Sequence, residues 1–460
     1  MKGILGAIAN AFKWLVNDIK DIGSTFAHGD WKTRVSYVIM GFGSIMRKQF
    51  LRGFLFLAVE VVYIYYMITS GIGYLSKFDT LGDVGRGFNP DGTVSYGDHS
   101  FLILLFGLLS IIFTVAFIVA WRMNLRENRV AQELLAKGKK LPTSLDDLKS
   151  LLDGNFHKTL LTIPILGICI FTILPIIFMI CVAFTNFDKE HQAPANLFTW
   201  VGFDNFKTML SFGEGIGDTF MSVLGWTLVW AFFATFLNYF LGMGLAMLIN
   251  KKGIKFKKLF RTIFVVTIAV PQFISLLYVS KLFAGDGLIN YYLKEWGFIE
   301  QSLPFWTNPT WAKFTIVGIN LWIGIPYLML IATGLLMNIP EDLYESARID
   351  GANKFQMFRK ITLPYMLFVT GPYLLTSFTG NLNNFNVIFL LSGGGPKGSD
   401  LKQNAGHTDL LITWLYKLTV NDVNYKLAAV IGILVFIVTA VISLVVYNML
   451  PSVKDEEGFQ

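Results

Sequence analysis

The chain of 460 residues is 54% hydrophobic and only 15% charged, where a soluble domain carries about a quarter charged residues. Much of its surface must therefore face lipid, which excludes an ordinary soluble enzyme. The net charge of +7 raises nucleic acid as a partner, but the pattern of positives argues for membrane orientation instead. Apolar runs near or above the ~20 residues that cross a bilayer recur at 50–75, 100–122, 158–185, 221–250, 259–284, 313–338, 365–391 and 425–449. They predict an all-α polytopic membrane protein with about eight spans.

The first residues, MKGILGAIANAFKWLVNDIK, lack the uninterrupted apolar stretch and small-residue cleavage site of a secretory signal. Ile4, Leu5, Ile8, Phe12, Leu15 and Val16 share one helical face, which predicts an amphipathic helix on the inner leaflet; a solvated leader remains the alternative. Arg47, Lys48 and Arg52 precede the first span, and Arg122, Arg126 and Arg129 follow the second. Lys251, Lys252, Lys255, Lys257, Lys258 and Arg261 fill the turn after the fourth, and Arg348, Lys354, Arg359 and Lys360 follow the sixth. The positive-inside rule then places both termini and residues 341–364 in the cytoplasm.

The expected organisation is a cytoplasmic segment 1–49, two accessory spans with a cytoplasmic linker over 50–157, a six-span core over 158–450 and a cytoplasmic tail 451–460. Cys169 and Cys181 read as packing residues within the third span. Glu60 is the clear ionisable residue inside a span; it suits a proton route or pairing with a neighbouring helix or water.

Chemistry-bearing motifs are sparse. There is no G-x-x-x-x-G-K-[ST] phosphate loop. LSGGGPKGSD over 391–400 imitates a glycine-rich phosphate loop, but its lysine precedes the last glycine and no GK[ST] opens a helix. An outer turn is the better reading. Five histidines, scattered over loops, offer no metal-ligand spacing, so neither a metal nor another cofactor is expected.

Neutral polarity, by contrast, is concentrated in two spans. TSFTGNLNNFNVIF puts Ser377, Gly380, Asn381 and Asn384 at i, i+3, i+4 and i+7, one helical stripe. Amides in hydrocarbon need partners, either neighbouring helices or an uncharged, hydroxyl-rich solute. INLWIGIPYLML adds Asn320, Trp322, Gly324, Pro326 and Tyr327, with rings suited to stacking on sugar faces.

Residues 341–364, EDLYESARIDGANKFQMFRKITLP, are a polar interruption between two apolar runs. Gly351 suits a break between two short helices, and the even mix of acids and bases favours a protein partner over lipid. Glu345-Ser346-Ala347, Asp350-Gly351-Ala352 and Ile361-Thr362-Leu363-Pro364 together resemble, in order and spacing, the EAA loop of permease subunits of bacterial ABC importers. Ser346 stands where alanine is usual. WVGFDNF, AVPQFIS and HTDLLITWLY extend the resemblance over roughly 160–450, to permeases of the maltose/maltodextrin (MalF) type.

That resemblance implies the type I importer permease fold and a non-catalytic subunit. It implies as partners a second homologous permease subunit, two cytoplasmic ATPase subunits, an extracellular solute-binding protein and an oligosaccharide such as a maltodextrin, but no nucleic acid. Residues 345–347 and 350–352 would couple to the ATPase. Asn320, Ile323, Gly324, Tyr327, Ser377, Gly380, Asn381 and Asn384 would line the sugar path. Gly380 and Ile268 replace rings found in enteric members of that type, which implies a longer or bulkier glucan; the folded outer domain of those members is also missing. An ion-coupled secondary sugar transporter is the alternative and needs an intramembrane carboxylate. A membrane-embedded glycosyltransferase needs an acidic or metal site that the sequence does not display.

Overall fold

A computed structural model describes residues 2–450 except 89, 214 and 252. The expected tail 451–460 lies outside the described residues. The chain divides into two compact units, Met1–Cys181 with Glu190–Trp200, and Val182–Lys189 with Val201–Gln460. Among the described residues, seven helices are long and apolar enough to cross a membrane, or eight if one bent pair counts as a span.

In the first unit, α1 (Lys2–His28), α2 (Trp31–Val35) and α3 (Phe42–Met46) lead into the apolar helix α4 (Phe50–Leu75). The side chains of Ile4, Leu5, Ile8, Phe12 and Leu15, which carry the amphipathic reading of α1, lie outside the described residues. The helix α5 runs Ser100–Ala136, about 55 Å at 1.5 Å per residue, well beyond the ~30 Å hydrocarbon layer. The expected polar linker therefore begins as more of this helix. RENRVAQELLA is rich in good helix formers, and Arg129 pairs with Glu133 one turn on, at 3.1 Å. Pro142 precedes α6 (Ser144–Leu152), which a Thr143–Asp146 capping box opens.

The joint between α2, α3 and the two long helices is polar and closed. The Arg47 side chain, 1% exposed, donates to Asn128 Oδ1 (2.6 Å), Asp30 Oδ1 (2.7 Å) and Thr33 Oγ1 (2.8 Å). Glu60 accepts the backbone N–H of Met40 at 2.8 Å. Of the two roles considered for Glu60, the structure gives it a pairing role that ties the α2–α3 segment to α4. The last helix of this part, α7 (Phe156–Val182), is apolar and mostly exposed, a surface suited to lipid.

In the second unit, α8 (Ile216–Asn250) contains a π turn at Phe233–Leu237. Next, α9 (Lys257–Ala269) and α10 (Gln272–Leu282) meet at a 93° bend, where Pro271 removes a backbone donor. The long helix α11 (Pro309–Leu336) packs along α8, with Gly242 so close that a Cβ there would sit 2.6 Å from Leu328 Cβ. Small residues permit such approach between membrane helices. One apolar cluster gathers Trp226, Trp230, Leu276, Ile316 and Val387, and a second gathers Tyr239, Met243, Met329, Met366 and Leu374. Following α12 (Glu341–Ile349) come α13 (Lys354–Leu382), α14 (Phe385–Ser392), α15 (Leu411–Val420) and α16 (Tyr425–Met449).

Candidate functional site

Span seven is not the continuous helix that its periodicity predicts. It stops at Leu382, and Asn384 is the N-cap of α14, accepting the Val387 N–H at 3.3 Å. Asparagine side chains compete with the backbone for hydrogen bonds, and four of them fall within residues 381–386. Asn384 consequently leaves the stripe of Ser377, Gly380 and Asn381. The two amides still meet: Asn384 Nδ2 donates to Asn381 Oδ1 at 3.2 Å.

Asn381 in turn donates to Thr235 Oγ1 on α8 at 3.0 Å, and its backbone carbonyl accepts the Trp230 indole N–H at 3.1 Å. The broken helix is thus pinned to the π turn of α8. One turn back on α13, Ser377 is half-buried. Tyr327 is half exposed, and Gly380 is exposed, with no atom within 4 Å of the place a Cβ would take. On α11, Asn320 is buried and Gly324 receives the Asn238 side chain of α8, whose atoms lie 2.6–2.7 Å from where a Cβ would be. Ile323 packs beside the Trp226–Trp230 cluster.

Ser377, Asn381 and Asn384 are therefore grouped, as are Asn320 and Gly324, while Ile323 contributes packing. Two cavities of about 770 and 500 Å³ on this unit lie elsewhere and are apolar; Phe236, Leu367 and Phe378 line the larger, Phe283, Trp311 and Trp322 the smaller. Sequence reasoning missed Thr235 and Asn238, although both are polar residues in the apolar run FATFLNYF, the same signal that singled out span seven. The middles of α8, α11, α13, α14 and α16 contain no Asp, Glu, Lys, Arg or His.

The segment 341–364 folds as the short helix α12 followed by the first turns of the long α13, rather than as two short helices. Gly351 adopts φ +80° after α12, and the Ala352 N–H returns to Ala347 O at 2.9 Å, closing the helix end. Asn353 and Gln356 then cap the start of α13 reciprocally. Tyr344 is hydrogen-bonded to Thr362 at 2.8 Å, fixing α12 to the base of α13. Glu345, Ser346, Asp350 and Gly351 are exposed, and Ala347 and Ala352 half-buried. Ile349 is 86% and Phe355 68% exposed, two large apolar side chains among charged ones.

Residues 391–411 form a closed turn. Asp409, fully buried, accepts from Lys417 Nζ (2.6 Å), Gly406 N (2.7 Å) and, through its other oxygen, Thr413 Oγ1 (2.8 Å). Burial pushes its carboxyl above the ordinary range, and the Lys417 ammonium and these hydrogen bonds pull it back. Gly394, at φ +79°, packs on this pair: a Cβ would lie 2.6 Å from Lys417 Nζ. Gly394 serves this packing, and Gly393, at φ +59°, is the left-handed C-cap of α14.

These features define a multi-pass membrane protein with neutral amides at a helix break and an exposed, charge-rich loop. Residues 238–454 match the family described as binding-protein-dependent transport system inner membrane component. The chain is 34% identical over 436 residues to the maltodextrin transport system permease protein MalC of Streptococcus pneumoniae serotype 4, covering 93% of this chain and 97% of that one. It is also 34% identical over 422 residues to the galactooligosaccharides transport system permease protein GanP of Bacillus subtilis strain 168, covering 91% and 97%. A crystal structure of a bacterial ABC transporter that imports the acidic polysaccharide alginate shares the fold, with TM-score 0.53 and 23% identity over 67% of this chain and 99% of that one.

The chain belongs to the membrane permeases of binding-protein-dependent ABC importers, as its resemblance to the MalF type implied. It is a non-catalytic permease subunit, and such permeases work with a binding protein and ATPase subunits.

Proposed function

We propose that this subunit forms the sugar path of an ATP-driven importer of maltodextrins or related malto-oligosaccharides. The observation that carries the reading is the amide group at the break between α13 and α14, Asn381 and Asn384 bonded to each other and to Thr235, in a span set whose middles are free of ionisable residues. Such a lining offers donors and acceptors to hydroxyls without a charge that a neutral glucan would have to desolvate. The absence of a mid-span carboxylate in the second unit also weighs against ion coupling.

With both termini cytoplasmic by the positive-inside rule, α12 and the start of α13 dock on an ATPase subunit through Ile349, Phe355 and the acids Glu345 and Asp350. A second homologous permease subunit completes the path, and two ATPase subunits drive it. ATP binding draws the docking segments together and shifts the population toward an outward-open state, to which an external binding protein delivers sugar. Open space at Gly380 suits a glucan longer than a disaccharide.

The test is the ATPase activity of the assembled transporter with its binding protein across a series from maltose to maltoheptaose, with a galactooligosaccharide as competitor. Stimulation by the longer malto-oligosaccharides supports the reading. Stimulation by the galactooligosaccharide alone overturns the maltodextrin assignment.

A further inference from the structure

We infer that Asn238 belongs to the solute path and holds, together with Asn320, one hydroxyl group of the transported sugar. The inference rests on the sugar path proposed above and adds to it a residue of α8.

Asn238 and Asn320 are 5% and 7% exposed. Asn238 Nδ2 donates to the Ala234 carbonyl at 2.8 Å, which fixes the orientation of the amide. Its Oδ1 is left buried without a partner among the described residues, and so is Asn320 Nδ2. Asn238 lies against Gly324, and Asn320 is one turn earlier on the same face of α11. One orphaned acceptor and one orphaned donor therefore lie about one helical turn apart along the seam of α8 and α11.

Unpaired buried polar groups are rare and costly, so each calls for an occupant. A hydroxyl is the smallest group that donates to one and accepts from the other at once. Gly324 is required here because any side chain would occupy the place of the Asn238 amide. The backbone just before Asn238 is the π turn Phe233–Leu237, an irregularity that frequently accompanies functional sites. An ordered water has the same hydrogen-bonding chemistry as a sugar hydroxyl, and transport separates the two.

The experiment measures glucan taken up per ATP hydrolysed by the assembled transporter in vesicles, for the wild type, Asn238→Leu, Asn238→Thr and Asn320→Leu. Leucine keeps the volume and removes both polar groups. Threonine keeps a hydroxyl that can donate to the Ala234 carbonyl and still accept. The ratio is expected to fall about five- to tenfold in Asn238→Leu, the worth of one hydrogen bond, and to recover to within about twofold in Asn238→Thr.

A lower yield of complex or lower ATPase activity at an unchanged ratio marks a structural water and overturns the inference. Equal losses of the ratio in the leucine and threonine variants mark packing and overturn it as well. A normal ratio in Asn238→Leu beside a reduced one in Asn320→Leu removes Asn238 while leaving the path in place. Normal ratios in both remove the path with it.

Discussion

Asn384 donates its side-chain amide to Asn381 Oδ1 at 3.2 Å across the point where α13 ends. This bond joins the last turn of one helix to the cap of the next, so the polar group best placed for a solute is also the one that shapes the span.

Asn381→Ala and Asn384→Ala are expected to impair glucan uptake while the transporter still assembles. Asn384→Ala also removes an N-cap, which costs about 1 kcal/mol, small enough to leave the fold intact. Uptake into vesicles, normalised to the complex recovered by size-exclusion chromatography, checks both. Unchanged uptake in both variants removes them from the path.

Glu345→Lys reverses a charge on the exposed face of α12. The permease is expected to insert normally and to lose its ATPase subunit on co-purification. Normal transport by this variant would contradict the docking role of residues 341–364.

Glu60 accepts the Met40 N–H, and Gln keeps an acceptor oxygen without the titratable proton. Glu60→Gln is therefore expected to leave uptake within about twofold of wild type, the effect of less than one hydrogen bond. A collapse of uptake in Glu60→Gln would instead mark a proton route.

Asp409→Ala leaves the Lys417 ammonium buried and unpaired, a change that costs about 3–5 kcal/mol. The outer turn 391–411 is expected to open, with a lower Tm in detergent and earlier proteolysis at this turn. An unchanged Tm and cleavage pattern would show that the pair does not hold the turn.

The spans were legible because apolar runs of bilayer length are a strong signal, and the EAA resemblance made residues 341–364 legible at the level of individual positions. Other features depended on competition that periodicity does not register. Asn384 matches a helical stripe by spacing, yet its side chain caps the next helix instead of continuing the one it was read into. The stretch after Arg122 looked like a linker because it is polar, but its helix formers continue α5 to Ala136. Asn238 stands out as a polar residue in the run FATFLNYF, but its partner emerges only when Gly324 of another span is seen against it.

Asp98 lies in the loop between α4 and α5, and its carboxyl is held below the ordinary value by the hydrogen bond from Lys77, aided by the Val84 and Asp83 N–H groups. A carboxyl depressed on folding stabilises the fold above its unfolded pKa of about 3.9, and that contribution is lost as pH falls through the lower folded value. Lys77→Met is expected to flatten the fall in Tm below about pH 4. A Tm profile identical to wild type would contradict this.

Uptake of labelled maltoheptaose into vesicles carrying the assembled transporter and its binding protein, with ATP supplied only on the side of residues 341–364, tests the energy source and the solute together. The account predicts uptake that requires ATP on that side and persists when a protonophore collapses the ion gradient. Uptake that proceeds without ATP and stops with the protonophore would contradict it.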